Sequence, residues 1–299
     1  MLVTPGIGPT GMTGTQGNLG PTGPTGSATG PTGSAGPQGP GVPWLQSDHG
    51  FTDWNGDPFH VYTATPVNGL ALMKIKIQNG GTIGGLYAVI SGGGSGFTAP
   101  VTTNVTGTAN NGSGAIRLTV TSSAAYSSGQ VAIVANVIGT TEANGSWVIA
   151  VIDATHIDLV GSTYVNAYLL GGSLYTSSNC MGIYSSSGNF IAASIDMTPY
   201  WITGNGCWRA PLATPTATVI GDFYWIAMLF RASTLPTFRN FSTSDAACAR
   251  ADAFSPSGAN LLFASNPAGS GIQALPASFS PAANTLPSIS QTFFVATGP

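Results

Sequence analysis

Apolar and polar side chains alternate in much of the chain after residue 65, and a period of two is typical of β-strands. The alternation is clearest from Leu72 to Gln78, where Met73, Ile75 and Ile77 are separated by polar residues, and it predicts a strand with one buried face. Other apolar runs between Gly, Ser, Asn and Pro predict strands at Leu86–Ile90, Ile116–Thr121, Val131–Ile138, Trp147–Ile152, Ile157–Val160, Met181–Tyr184, Phe190–Ile195, Phe223–Phe230 and Thr292–Ala296. No segment keeps a helical period over three turns, so we expect a mainly β fold, an antiparallel sandwich.

The first forty residues follow a different pattern, with glycine at almost every third position. The glycines in phase are Gly8, Gly11, Gly14, Gly17, Gly20, Gly23, Gly26, Gly30, Gly33, Gly36 and Gly39. The intervening pairs favour Pro followed by Thr, Gln or Ala, which is the Gly-X-Y repeat of a collagen triple helix. Only glycine fits at the axis of three polyproline II chains, so we expect these residues to form the axis of a homotrimeric stem. A flexible Gly/Thr linker is the alternative.

These patterns divide the chain into four parts. We expect a collagen-like triple-helical stem at 1–41, a collar at 42–64, a trimeric antiparallel β-sandwich at 65–91 and 172–299, and a small inserted β module at 92–171. Gly-rich hinges flank the module on both sides. Insertions are tolerated where the two ends lie close together, so joining Ser91 directly to Gly172 is expected to leave a folded, trimeric head.

Composition excludes several classes of partner and chemistry. With 7 basic residues and a formal net charge of −3, the chain lacks the clustered cations that bind nucleic acid. The longest apolar run, Phe223 to Phe230, is far shorter than the roughly 20 residues of a membrane span, and we expect no membrane insertion. The N-terminus lacks the basic and apolar regions of a signal peptide.

Metal and disulfide sites have weak support in the sequence. Asp53, Asn55 and Asp57 alternate as the first oxygen ligands of a calcium loop do, but the rest of that loop is missing and a solvated turn is favoured. For Cys180, Cys207 and Cys248, burial as small apolar side chains is favoured over a bridge between Cys180 and Cys207. We expect no metal and no cofactor.

Catalytic chemistry is likewise not expected. A glycan hydrolase uses a pair of carboxylates, and the only glutamate, Glu142, lies beside a predicted Asn144-Gly145 hairpin turn. None of the histidines, His49, His60 and His156, lies near a nucleophile motif. The sequence therefore predicts no catalytic residue and a protein that is not an enzyme.

Binding has a better candidate. Tyr200, Trp201, Trp208 and Arg209 lie in a segment from Asp196 to Pro211 that we interpret as loop-rich. Aromatic rings offer apolar area with a polar edge and commonly meet sugars, so these four residues are candidate glycan contacts. Burial of the aromatic rings in the core is the alternative.

Part of the inserted segment resembles a known module. The block Val137–Trp147, followed by Ile152–Leu159 and Gly161–Tyr168, resembles a small β module that recurs in phage tail proteins and is similar to the first catalytic cysteine half-domain of ubiquitin-activating enzymes. The resemblance covers about 40 residues. It implies a compact β barrel and brings no catalytic residue with it.

The flanking segments resemble a second family. Thr65–Ile77, Gly81–Ile90, Gly182–Gly188, Gly221–Leu229 and Leu235–Phe238 resemble the C-terminal domain of tail fibre or minor tail proteins of phages that infect actinobacteria. The resemblance implies a structural virion protein, made in the host cytoplasm, whose partners are itself as a homotrimer, other virion tail proteins and a glycan of the host envelope. In architecture alone, a collagen stem with a trimeric β head also resembles complement-C1q-like and tumour-necrosis-factor-like proteins. A purely structural spacer and a glycan-degrading spike remain the alternative functions.

Overall fold

Strands form nearly all of the regular structure in this computed structural model, which describes residues 53–54, 62–64, 69–240, 263–265, 272–281 and 295–299. The strands of these residues are β1 Asp53–Trp54, β2 Tyr62–Ala64, β3 Leu70–Lys76, β4 Gly81–Gly92, β5 Ser95–Phe97, β6 Val101–Asn110, β7 Ile116–Val120, β8 Val131–Ala135, β9 Gly145–Val151, β10 His156–Leu159, β11 Ser173–Thr176, β12 Cys180–Ser185, β13 Phe190–Ala193, β14 Gly206–Thr218, β15 Phe223–Leu229, β16 Ala232–Thr234, β17 Thr237–Asn240, β18 Phe263–Ser265 and β19 Val295–Gly298. One short helix, α1 Thr198–Trp201, accompanies them. The expectation of a mainly β protein is confirmed. The proposed axis glycines, Gly8 to Gly39, lie outside the described residues.

Two antiparallel sheets pack face to face around the largest core. The first has the order β1-β19-β4-β17-β2, with β14 also paired to β4, and the second has the order β13-β12-β15-β3-β18. Alternate residues of β4, such as Leu86, Ala88 and Ile90, point toward Met73 and Ile226 of the facing sheet, and each of the five is at most 1% exposed. We refer to these two sheets as the sandwich.

The second sheet is buried on both faces, which corrects the expectation for its strand β3. The sequence predicts a single buried face there, but Lys74 is only 7% exposed and Leu70 and Leu72 on the same side are fully buried. The Lys74 ammonium lies 4.8 Å from the ring centre of Phe223 and 5.5 Å from that of Trp225. At Lys74 the polar side of the strand is therefore covered by aromatic rings, whereas Lys76 at its end is exposed.

The chain between β5 and β12 forms a closed barrel in the strand order β10-β7-β6-β11-β8-β9. Its interior is filled by its own side chains, including Ile116, Leu118, Ile149 and Leu174, and forms a core separate from that of the sandwich. The strands of the barrel run from Val101 to Thr176. The expected module, 92–171, therefore ends before β11, the last barrel strand, which falls within the range expected for the sandwich.

The turn expected at Asn144-Gly145 is part of a longer connection. A single 3-10 turn, Thr141–Ala143, precedes it between β8 and β9. The Asn144 side chain accepts a hydrogen bond from Val137 N at 2.9 Å and donates one to Val137 O at 2.9 Å. The Asn144 side chain thus makes with Val137 the pair of hydrogen bonds that a paired strand would make with its backbone. No two-residue hairpin forms at this position.

A segment at 272–281, here called the bridging segment, binds both the barrel and the sandwich. Val131 N of the barrel donates to Leu275 O at 2.8 Å, and Phe190 N of the sandwich donates to Ala277 O at 3.0 Å. The Leu275 and Phe279 side chains pack in one core with Val131 of the barrel and with sandwich residues. The barrel and the bridging segment together cover the outer face of the second sheet, the face that points away from the main core.

Asn179 holds the two chain connections to the barrel in place. It lies fully buried on the connection that leaves the barrel, and its Nδ2 donates to Thr98 O, on the connection that enters the barrel, at 2.9 Å. Its Oδ1 accepts from Arg231 N, after β15 of the sandwich, at 2.9 Å. On the chain that leads into the barrel, a Cβ at Gly93 would lie 2.2 Å from Ile202 O, so this glycine is needed for the close approach of the two backbones. The connections to the barrel are thus packed against the sandwich. These contacts do not support the expectation that the head folds without the barrel.

Candidate functional site

Two of the four proposed glycan contacts form an aromatic pair on the surface of the sandwich. Tyr200 lies on α1 and Trp208 on β14, and their ring centres are 5.6 Å apart at an interplanar angle of 51°. Both rings are partly buried against the edge of the main core. The Trp208 Nε1 donates to Gly204 O at 3.1 Å, which fixes the orientation of the indole. The pair therefore presents a rigid apolar surface to solvent.

The elements that carry this pair follow from local sequence. Pro199 lies in the first turn of α1, where the missing N–H of proline is tolerated, and the Tyr200 and Trp201 amides both donate to Met197 O at 3.0 Å. After the helix the chain turns at Gly204, whose φ of 86° suits glycine, and enters β14. The segment expected to be loop-rich thus contains the start of a thirteen-residue strand.

Trp201 is a core residue, and its proposal as a glycan contact is wrong. Its side chain is 0% exposed, with its ring centre 4.7 Å from that of Phe230 and 6.0 Å from that of Phe238. Because consecutive residues of a helix point about 100° apart, Tyr200 faces the surface while Trp201 faces into the sandwich. Burial offers Trp201 more apolar contact than any surface position would.

Arg209 is exposed but already has a partner in this structure. Its Nε and Nη2 donate to Pro299 O at 3.1 and 2.7 Å, so the guanidinium reaches across β4 and links β14 to the end of β19. A Cβ at Gly85 would lie 2.7 Å from Arg209 Nε, which shows that the side chain lies flat over the glycine backbone of β4. Ligand contact by Arg209 would compete with this clamp.

Polar groups around the aromatic pair are neutral or engaged. Thr203 Oγ1 donates to Tyr200 O at 2.8 Å, and Ile202 beside it is 53% exposed. Burial raises the pKa of the Asp196 carboxyl, although Ser177 Oγ and Thr198 Oγ1 donate hydrogen bonds to it. Ile202 and Thr203 were not singled out in the sequence, because nothing in the pattern shows that the turn after α1 lies beside Trp208.

The other candidate chemistry is dispersed. Within the described residues no group of three His, Cys, Asp or Glu side chains could hold a metal ion. Asp53 begins β1, where it pairs with Thr297, whereas Asn55 and Asp57 lie outside the described residues. His156 Nδ1 lies 2.8 Å from Asp153 Oδ2, and Ser123 Oγ is bonded to the Asp153 carbonyl rather than to the imidazole.

The cysteines differ in their environments. Cys180 and Cys207 are both free thiols, Cys180 buried and Cys207 exposed, so no bridge joins them. The expectation of burial is confirmed for Cys180, and burial raises the pKa of its thiol. The same expectation is wrong for Cys207, which is exposed. Cys248 lies outside the described residues.

Comparisons with known proteins add no assignment. No protein-family model matches this chain, and no curated protein matches it. Among the residues that the structure describes, no helix has the length and hydropathy to cross a membrane.

Proposed function

We propose that this chain is a homotrimeric fibre of a phage tail whose head attaches to a neutral glycan of the host envelope. The observation that carries the proposal is the aromatic pair, Tyr200 and Trp208, held rigid at the surface by the hydrogen bond from Trp208 Nε1 to Gly204 O. Aromatic faces stack on the C–H faces of pyranose rings with little loss of conformational entropy, because the side chains are already fixed.

The charges near the pair favour a neutral ligand. Arg209, the nearest cation in sequence, hydrogen bonds to Pro299 O, and the Asp196 carboxyl accepts hydrogen bonds from Ser177 and Thr198. A contact made by stacking and by hydroxyl or amide hydrogen bonds depends little on ionic strength. Binding to cells should therefore survive added salt.

The collagen-like repeat supports attachment through avidity. If the stem joins three chains, three weak sites act on one surface, and after the first binds the others remain at high local concentration. A site of about millimolar affinity would then suffice for adhesion.

The test uses the full-length protein, fluorescently labelled, on a panel of intact actinobacterial cells. The variant Tyr200→Ala/Trp208→Ala should lose most binding. Trp147→Ala is the matched control, because Trp147 is also partly buried and its Nε1 also donates to a carbonyl four residues earlier, Ala143 O at 2.7 Å. That control lies on the barrel and should bind as the parent does.

Each other outcome contradicts a different part of the proposal. Equal binding by the double variant and the parent would show that the aromatic pair is not the contact surface. A parent that binds none of the cells would leave the structural-spacer function in its place. Release of reducing sugar from the cells would identify a glycan-degrading spike.

A further inference from the structure

One region of the barrel surface exposes four large apolar side chains together. They are Ile138 at 48%, Val165 at 67%, Leu169 at 69% and Leu170 at 58% relative exposure, and we call them the apolar patch. Three of them lie on a segment at 164–171, here called the strap, and the fourth pairs with Leu170 in an antiparallel bridge. Contiguous exposed apolar side chains are unusual on a soluble surface and commonly mark an interaction site.

Hydrogen bonds and core packing hold the strap in place with its apolar side chains pointing outward. Glu142 Oε1 accepts hydrogen bonds from Val165 N at 2.7 Å and Asn166 N at 2.6 Å, and Leu169 N donates to Ile138 O at 2.9 Å. On the inner side, Tyr168 packs against the barrel core, and its hydroxyl donates to Val105 O at 3.2 Å. Rigid surfaces lose little entropy when they bind.

The barrel does not need these outward side chains to fold. Its core is built from other residues, including Ile149 and Leu159. The strap is held by its backbone hydrogen bonds, by Glu142, and by Tyr164 and Tyr168, which both pack against that core. Val165 and Leu169 project from irregular backbone, and Ile138 and Leu170 from a single bridge, so all four positions could carry polar side chains without loss of these contacts. Their apolar character therefore points to a contact with another surface.

Charge is sparse around the patch, which suits a contact between identical chains. From Leu159 to Ile195 the sequence contains no Asp, Glu, Lys, Arg or His. The Glu142 carboxylate is already engaged: burial raises its pKa, but hydrogen bonds from the Asn166 and Val165 amides outweigh this effect and lower the pKa to about 2. Like charges on copies of one surface repel one another, and here the Glu142 carboxylate is compensated by three N–H donors of the strap. The cores of protein interfaces are correspondingly poor in charge.

We infer that the apolar patch is the contact between the heads of neighbouring copies of this chain in a threefold ring. This inference rests on the proposed homotrimer, because the Gly-X-Y repeat is what would hold two further copies at high local concentration. In a ring with threefold symmetry, copies of one surface can meet only at the axis, so the three patches converge there and none is left exposed.

The test replaces Leu169 and Leu170 by glutamate in the full-length chain. Molecular mass is followed by light scattering while the protein is heated past the loss of the circular dichroism signal of the triple helix. The parent heads should remain trimeric beyond that temperature. The Leu169→Glu/Leu170→Glu heads should separate into folded monomers as the stem melts, with the concentration for half dissociation raised by more than roughly tenfold, because like charges face each other across the contact.

The matched control is Val219→Glu/Ile220→Glu, since these two side chains are 58% and 67% exposed at the turn between β14 and β15. This control should stay trimeric, and its dissociation with the stem would show that added charge acts regardless of position and would overturn the inference. A milder variant, Leu169→Ser/Leu170→Ser, should shift dissociation in the same direction and covers the case in which the glutamates prevent folding. Equal behaviour of parent and patch variants would also overturn it. A parent that is monomeric before heating would instead contradict the homotrimer itself.

Discussion

The barrel and the sandwich depend on each other unequally. The core of the barrel is built wholly from residues between Val101 and Tyr168 plus Leu174, within one continuous stretch of chain. The sandwich is assembled from distant segments and has a second core, which includes Val131 of the barrel and Leu275 of the bridging segment. A domain whose hydrophobic core closes on itself can fold alone, whereas a sheet with two apolar faces requires a cover on each. The inserted barrel therefore forms part of the cover that the second sheet of the sandwich requires.

Removing the barrel gives the largest expected effect. Deletion of residues 92–171, with Ser91 joined to Gly172, uncovers the sheet face that carries Leu70, Leu72 and Trp225, and the remaining head should aggregate or lose cooperative unfolding. The isolated fragment 98–178 should fold, because its core closes on itself, although it would expose Val131 and Val148. Solubility, circular dichroism and thermal unfolding of the two proteins measure this difference. A soluble shortened head with a sharp thermal transition would show that the sandwich needs no cover.

A single substitution in each core tests whether the sandwich depends on its cover while the barrel is independent. Leu275 and Leu118 are both at most 1% exposed, and replacement of either by alanine should cost about 2–5 kcal/mol of local stability. Leu275→Ala should speed amide hydrogen exchange mainly in β12 and β15, and Leu118→Ala mainly in the barrel strands β7 and β10. If Leu118→Ala loosened the sandwich strands as much as the barrel strands, the two cores would behave as one cooperative unit.

Local patterns in the sequence account for the strands but not for their partners. β15 is predicted from its apolar run, whereas β6 contains four threonines and β14 contains Pro211 and Pro215, so neither has a clear period of two. The register of β14 on β4 shifts between Pro211 and Thr216, which is how a strand with these prolines remains paired. No pattern over neighbouring residues contains that information.

The candidate site shows the same limit. The four predicted glycan contacts, Tyr200, Trp201, Trp208 and Arg209, are close in sequence and all carry side chains that commonly bind ligands. In the structure Trp201 is in the core, and Arg209 donates hydrogen bonds to a carbonyl 90 residues away. The difference arises from which side of a single helical turn faces the sandwich and from where β19 pairs with β4. Both are long-range consequences of the fold, so sequence can nominate the cluster but cannot separate its members.

The strap offers the smallest and most local effect. The pKa of Glu142 in the folded state is about 2, below its ordinary value of 4.5, because hydrogen bonds from the strap to the carboxylate outweigh the effect of burial. A lowered folded-state pKa means that the carboxylate stabilises the barrel fully above about pH 4.5, and that this contribution is lost as the pH falls toward 2. Glu142→Gln should keep one acceptor for the two strap amides but lose the charge, at a cost of at most about 1 kcal/mol after solvent screening.

The measurement is the difference in barrel stability between parent and Glu142→Gln as a function of pH. Asp153 and Asp158 lie on the same barrel and also have lowered pKa values, so the parent alone would lose stability in this acid range for several reasons. Those carboxyls are common to both proteins and cancel in the comparison, which leaves the contribution of Glu142. The difference should be largest at neutral pH and should vanish near pH 2. A difference that stays constant across this range would mean that the strap is held by its backbone contacts and tyrosines rather than by the carboxylate charge.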